Sequence, residues 1–169
     1  SKKTFEKIKS NVHQVKQQQD IVIFSVHWGG NWGYQISEDK QKFAHQLIDM
    51  AGVDLVFGHS SHHPMGIEVY NEKLIIYGAG DFINDYEGIS GHEDFRGELT
   101  LMYFPELDPG TGDLLSLKMI PMEIKNFKLH KAKANDAVWL EQVLDRESKK
   151  IGTSVRREAD NSLRLDWKM

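Results

Sequence analysis

The stretch Ile21-Val22-Ile23-Phe24-Ser25-Val26-His27-Trp28-Gly29-Gly30 decides the fold. A short apolar run rich in β-branched residues stops abruptly at a histidine, a tryptophan and two glycines. Such a run reads as a strand buried on both faces, as in a parallel sheet. Upstream, Phe5, Ile8, Val12 and Val15 recur at helical spacing and predict an amphipathic helix over about 4–19. Downstream, Ser37 is placed to cap a helix over about 38–51, with Glu38 and Asp39 in its first turn and Gly52 just past its end. Its buried face is expected to be Phe43, Ala44, Leu47, Ile48 and Ala51. Val53 to Phe57 is a second apolar strand, ending at Gly58-His59. Strand, helix, strand is a βαβ unit, with a right-handed crossover expected.

A hairpin follows. Ile67-Glu68-Val69-Tyr70 and Leu74-Ile75-Ile76-Tyr77 flank a polar turn around Asn71-Glu72. The second arm runs into Gly78-Ala79-Gly80-Asp81 and a glycine- and acid-rich loop over 78–97, a length usually functional or mobile. Residues 98–104 and 114–124 read as a strand pair joined by Asp108-Pro109-Gly110. A helix is predicted from near Asp136 to Ile151, with Trp139, Leu140, Val143 and Leu144 inward, then short strands near 153–155 and 162–167. The 169 residues suffice for one domain, 1–169, with a sizeable core.

Composition excludes several functions. Net charge is −4, with 21 Lys and Arg against 25 Asp and Glu dispersed along the chain. No basic cluster is dense enough for a nucleic-acid groove, so no nucleic acid is expected as partner. There is no cysteine, which excludes thiolate chemistry and Cys-based zinc sites. No apolar run reaches the roughly 18 residues of a membrane span, and no signal peptide is visible. The location is open: soluble as read, with attachment to the cell envelope through other segments an option.

The chemistry sits at strand ends. His27 lies just past one apolar strand, His59 and His62 just past the next, and Asp81 just past a third. In open α/β sheets, ligands bind at the carboxyl ends of strands. Adjacent strands are about 4.8 Å apart, so these ends can converge. Three imidazoles and a carboxylate suit a divalent metal such as zinc, manganese or iron, and not calcium. A bound metal lowers the pKa of its water toward about 7, which points to hydrolysis. His63 is a candidate proton donor to a leaving group.

A lone histidine is more often structural than a ligand, and Asp81 reads equally as a turn former after glycine. Three histidines within residues 59–63 are harder to explain by packing. His13 and His45 fall on polar helix faces, where exposure is the default, and His130 sits in a basic stretch. His92 and Asp85 lie in the long loop, and for both, reaching the site is the lesser expectation. Trp28 and Trp32 either wall a pocket or cover the sheet end. Ser60 and Ser61 lack the G-x-S-x-G pattern of a serine nucleophile.

Val26-His27-Trp28-Gly29 resembles the HWG motif of CapA-like proteins, and Gly58-His59 through His62 resembles their GHxxH motif. Gly66-Ile67-Glu68-Val69-Tyr70-Asn71, leading into Leu74-Ile75-Ile76-Tyr77-Gly78 and Gly80-Asp81-Phe82, resembles their segment ending in a GNF-like motif. Over about residues 20–105 the chain thus resembles the C-terminal half of the CapA-like poly-γ-glutamate capsule-biosynthesis family, a branch of the calcineurin-like metallophosphoesterases. The resemblance implies a four-layer αββα sandwich, α/β with a mixed sheet, and a dinuclear metal site between its sheets. By motif position His27, His59 and His62 would be metal ligands, while His63 and Asp81 are catalytic candidates from their place at the strand ends.

Three departures stand out. The family glutamate after HWG is absent, with Asn31 nearby. The usual GHHPH becomes Gly58-His59-Ser60-Ser61-His62, and the GNF asparagine is Asp81. Relatives also carry an N-terminal half whose acidic and asparagine motifs complete the site. This chain has neither motif, so a dinuclear site is expected only in a complete domain, and the isolated chain is expected to be inactive. Half a sandwich would expose an apolar sheet face, to be covered by the missing half, a second copy or another protein. The expected substrate is a polyanionic polymer or a small phosphoester. The competing expectation is a non-catalytic module that holds the polymer or a partner in the same cleft.

Overall fold

The computed structural model describes residues 2–84 and 89–167. In chain order the elements begin with α1 (Lys2–Val15), β1 (Ile23–His27), α2 (Glu38–Ala51), β2 (Leu55–His59), β3 (Ile67–Tyr70) and β4 (Lys73–Ile76). They continue with β5 (Leu99–Leu107), β6 (Leu114–Lys125), β7 (Lys128–Lys131), α3 (Ala134–Lys149), β8 (Ser154–Arg157) and β9 (Leu163–Asp166). A 3₁₀ turn at Glu93–Phe95 precedes β5.

The expected βαβ unit forms. β1 and β2 pair in parallel, from Ile23 opposite Leu55 to His27 opposite His59. Between them α2 is held at both ends by its own sequence. The Ser37 side chain accepts from the Lys40 amide, and Gly52 closes the helix at φ 74°, a left-handed conformation that glycine adopts without a Cβ penalty. β4 pairs in parallel with β2, and β3 is antiparallel to β4, giving the order β1-β2-β4-β3. The second sheet is antiparallel, ordered β5-β6-β9-β8, with β7 on β6.

Strand alternation then builds two cores. On one face of the first sheet, Val56, Ile75 and Tyr77 pack with Phe5 of α1 and with Ala44, Leu47 and Ala51 of α2. On the other face, Leu55, Ile67, Leu74 and Ile76 meet Leu99, Leu101, Leu117 and Met119 of the second sheet. Leu140 and Leu144 of α3 join that second core, and α3 packs on β8 while touching β3 and β6. The Ser148 hydroxyl accepts from the Ile67 amide, and the Thr153 hydroxyl donates to the Ile67 carbonyl, tying the end of α3 to β3. The result is an α/β sandwich with a mixed sheet, as the family resemblance implied.

β1 is not buried on both faces. It is the edge of its sheet, and Ile23, Ser25 and His27 point to one exposed side, Ile23 being 60% exposed. An apolar run therefore marked an edge strand, because only one face is covered by helices. α1 ends at Val15, which is 72% exposed, so the helical stripe stops at Val12. β7 and the 3₁₀ turn were not foreseen. His45 is half-buried instead of exposed: its Nε2 lies 2.9 Å from Glu68 Oε1, and its ring stacks on Tyr70 at 3.7 Å. Glu68 in turn accepts a bond from the Tyr77 hydroxyl at 2.6 Å. A helix-face pattern cannot reveal a carboxylate reaching up from the strand below.

The tightest backbone approach is at Gly58. A Cβ there would lie 2.4 Å from Trp28 Nε1 and 2.7 Å from the Ile76 and Tyr77 carbonyl oxygens. Gly58→Ala should therefore destabilise the chain by about 1–3 kcal/mol, as other overpacking changes do. Urea denaturation of the two proteins measures this, and an unchanged midpoint would show that the strand ends yield.

Candidate functional site

The parallel register brings the strand ends together. His27 and His59 are opposite one another, with ring centroids 5.5 Å apart in an edge-on arrangement. Ser25 Oγ is 3.1 Å from His59 Nε2. After β2 the chain turns sharply through Ser60, whose φ of 149° few L-residues adopt and whose hydroxyl bonds the Trp28 carbonyl. Such strain often gathers at functional sites. The His62 amide then donates to the Asn31 carbonyl at 3.0 Å, joining the loop after β1 to the loop after β2.

His62 and Asp81 form a pair, with Nδ1 2.8 Å from Oδ2. A carboxylate only accepts, so the proton sits on Nδ1 and the Nε2 lone pair is fixed in direction. Asn84 Nδ2 also donates to Asp81 Oδ2, at 3.2 Å. This pair lines a cavity of about 710 Å³, together with Trp32, Asn84, His92 and residues of β6. Trp32 stacks on His92 at 4.3 Å and contacts His62 at 5.1 Å. Trp32 is thus the cavity wall, and His92 lines the cavity as well, against the main expectation from its place in the loop. Trp28 takes the other role: it stacks on Tyr77 at 5.8 Å and its Nε1 donates to the Tyr77 carbonyl, covering the sheet end. Asp85 lies outside the described residues.

His63 is placed differently from the role its sequence position suggested. It is 0% exposed. The Gly33 amide donates to its Nε2 at 3.2 Å, so Nδ1 carries the proton and donates to the Pro64 carbonyl at 3.1 Å. With both nitrogens engaged and no solvent contact, this ring braces the loop and is not presented to a leaving group. Burial pushes its pKa below the ordinary 6.5, with the Pro64 bond opposing. Neighbours in sequence on an extended turn point to opposite sides, so His62 meets the cavity and His63 the interior.

The resemblance implies a divalent metal here, and that requires donors converging on one point. His27 and His59 supply two imidazoles side by side, and His62, whose Nδ1 bonds Asp81 and whose Nε2 remains a donor, is not grouped with them. Among the described residues, no group of three or more His, Asp or Glu side chains is arranged to hold one ion. Zinc sites take at least three protein donors. As arranged, these residues do not fit a complete metal site.

Two outcomes are expected. Elemental analysis of the chain purified without chelator should give well under one manganese, iron or zinc per chain, with little further change in His27→Ala and His59→Ala. One metal per chain, lost in both variants, would overturn the two-donor count. Secondly, His63 has a folded pKa below its unfolded value, so the stability it contributes is present above about pH 6.5 and is lost as pH falls toward the folded pKa. Urea midpoints at pH 7.5 and 5.5 should show this loss, and His63→Ala should be less stable at pH 7.5 by roughly 1–3 kcal/mol with a flatter pH dependence. An equal slope in both proteins would assign the effect elsewhere.

Comparison with known proteins agrees with this architecture. Residues 1–86 match the family described as bacterial capsule synthesis protein PGA_cap. The chain is 48% identical over 150 residues to a probable polyglutamine synthesis accessory protein of Mycobacterium tuberculosis, covering 89% of this chain and 39% of that protein. It is 34% identical over 74 residues to the PGA biosynthesis protein CapA of Bacillus subtilis, covering 44% of this chain and 19% of that protein. The capsule biosynthesis protein CapA of Bacillus anthracis is 32% identical over 66 residues, covering 39% and 16%. The chain therefore spans well under half the length of these relatives. By its match over 1–86, this chain belongs to the bacterial capsule synthesis protein PGA_cap family.

Proposed function

We propose that this chain carries part of a hydrolytic site in a capsule-synthesis protein, acting on amide bonds of a glutamyl polymer. The observation that carries the reading is the His62–Asp81 pair, 2.8 Å apart on the wall of a cavity of about 710 Å³. The relatives' names, which refer to capsule and PGA biosynthesis, supply the polymer.

The chemistry follows from the pair. His62 Nε2 takes a proton from a water as its oxygen attacks the amide carbonyl. Asp81 holds the ring in that tautomer and stabilises the imidazolium that forms. The imidazolium then returns the proton to the departing nitrogen as the C–N bond breaks. The products are a carboxylate end and an amine end. Trp32 and the residues of β6 enclose the bound segment. His63 keeps the loop in place behind His62.

The His27–His59 pair is proposed as the incomplete part of a site for a divalent metal, manganese, iron or zinc, whose remaining donors lie outside the described residues. A complete site of that kind would open a phosphoester as a second substrate class.

The test uses the full-length protein with γ-glutamyl oligomers, scoring newly formed amine ends, and with a chromogenic phosphomonoester. His62→Ala and Asp81→Asn should lower amide cleavage by about 10²–10⁴-fold. Cleavage unchanged in His62→Ala would remove the pair from the mechanism. Tight polymer binding without any turnover would replace the hydrolytic reading with that of a binding module.

A further inference from the structure

Addition of water to an amide turns the carbonyl oxygen into an oxyanion, and a hydrogen-bond donor aimed at that oxygen lowers the barrier. His62 Nε2 takes the water proton and the Asp81 carboxylate only accepts, so the donor has to come from elsewhere on the cavity wall.

The other side-chain donors of that wall fall into three groups. Some are committed: Asn84 Nδ2 donates to Asp81, and the Arg96 guanidinium lies over Trp139 with Glu98 and Asp136 each at 2.8 Å. Ser90 and Lys125 are exposed at the rim. Two rings remain, Trp32 and His92. Trp32 turns the six-membered edge of its indole toward Gly97 and its face to His92, and so acts as a platform.

His92 is held by its face. Its ring lies 15° from the plane of Trp32 at 4.3 Å between centroids, with Phe95 at 6.5 Å. Its two nitrogens sit on the ring edge and make no hydrogen bond among the described residues. His62 leans on the same indole at 5.1 Å. One tryptophan thus sets two imidazoles on one cavity wall, the first oriented by a carboxylate and the second with its edge uncommitted. An imidazole keeps an N–H in either tautomer and when protonated, so this donor persists whatever the state of the ring.

We infer that His92 is a further catalytic residue, whose ring N–H donates to the carbonyl oxygen of the scissile amide as water adds. This rests on the hydrolytic reading proposed above. As the new C–O bond forms, the water proton passes to His62 Nε2 and the carbonyl π pair moves onto the oxygen held by His92. When the C=O bond re-forms, the C–N bond breaks and the nitrogen leaves with the proton from His62. His92 gives up no proton. Its bond strengthens as charge develops on the oxygen, so it favours the transition state over the bound substrate.

Steady-state cleavage of γ-glutamyl oligomers by the full-length protein tests this. His92→Phe and His92→Leu keep an apolar side chain against Trp32 but remove both nitrogens. Each should lower kcat about 10²-fold while KM changes less than about threefold. His92→Gln restores an N–H and should recover part of the loss, whereas Trp32→Phe should act mainly on KM. Wild-type kcat in His92→Phe or His92→Leu protein that is folded by circular dichroism, with cleavage still lost in His62→Ala, overturns the inference and leaves the hydrolytic reading standing. A kcat loss that falls on Trp32→Phe instead does the same. No cleavage by the wild-type protein, or cleavage unaffected by His62→Ala, overturns both.

Discussion

The parallel pairing of β1 with β2 is the constraint on which the rest depends. Its register sets Ile23 against Leu55 and His27 against His59, so two polar strand ends finish at one level. β4 joins in the same direction, and the chain leaving it reaches Asp81. Gly58 lets the ends of β2 and β4 and the Trp28 ring come closer than any side chain would allow. Everything chemical in the molecule hangs from that edge: the imidazole pair, the His62–Asp81 contact and the loops that Trp32 holds together.

Much of this was legible in the sequence, for physical reasons that can be named. The β-branched run before His27, the Ser37 cap and Gly52 fixed the βαβ unit, because each encodes a local backbone preference. The hairpin over β3 and β4 and the long strand pair of β5 and β6 announced themselves through alternation and turn residues. The strand-end positions of His27, His59, His62 and Asp81 followed from the same pattern. The resemblance to the capsule family rested on those residues too, and the family match covers them.

What was not legible depends on contacts between distant segments. Burial of β1 on one face alone is decided by the width of the opposing sheet, which no run of residues states. His45 looked solvent-facing because Glu68 belongs to another element. The choice between His62 and His63 turns on the backbone after Ser60, and only the fold sends one ring to the cavity and the other inside. His92 enters through its stack on Trp32, a pairing across the long loop. In each case the missing signal was which neighbour a side chain meets.

The order in which these contacts can form carries a consequence for the site. β3 with β4, and β5 with β6, join segments adjacent in the chain, whereas β1 and β2 close only after all of α2 has been placed between them. Non-local parallel pairings bear the larger loop-closure entropy and tend to form late. Among the described residues β1 is moreover an edge strand paired with β2 alone. The edge carrying His27 and His59 therefore forms after the two hairpins, as does the β6–β9 pairing, and an edge opens more readily than a sheet centre, so its order reports whether the chain has finished folding.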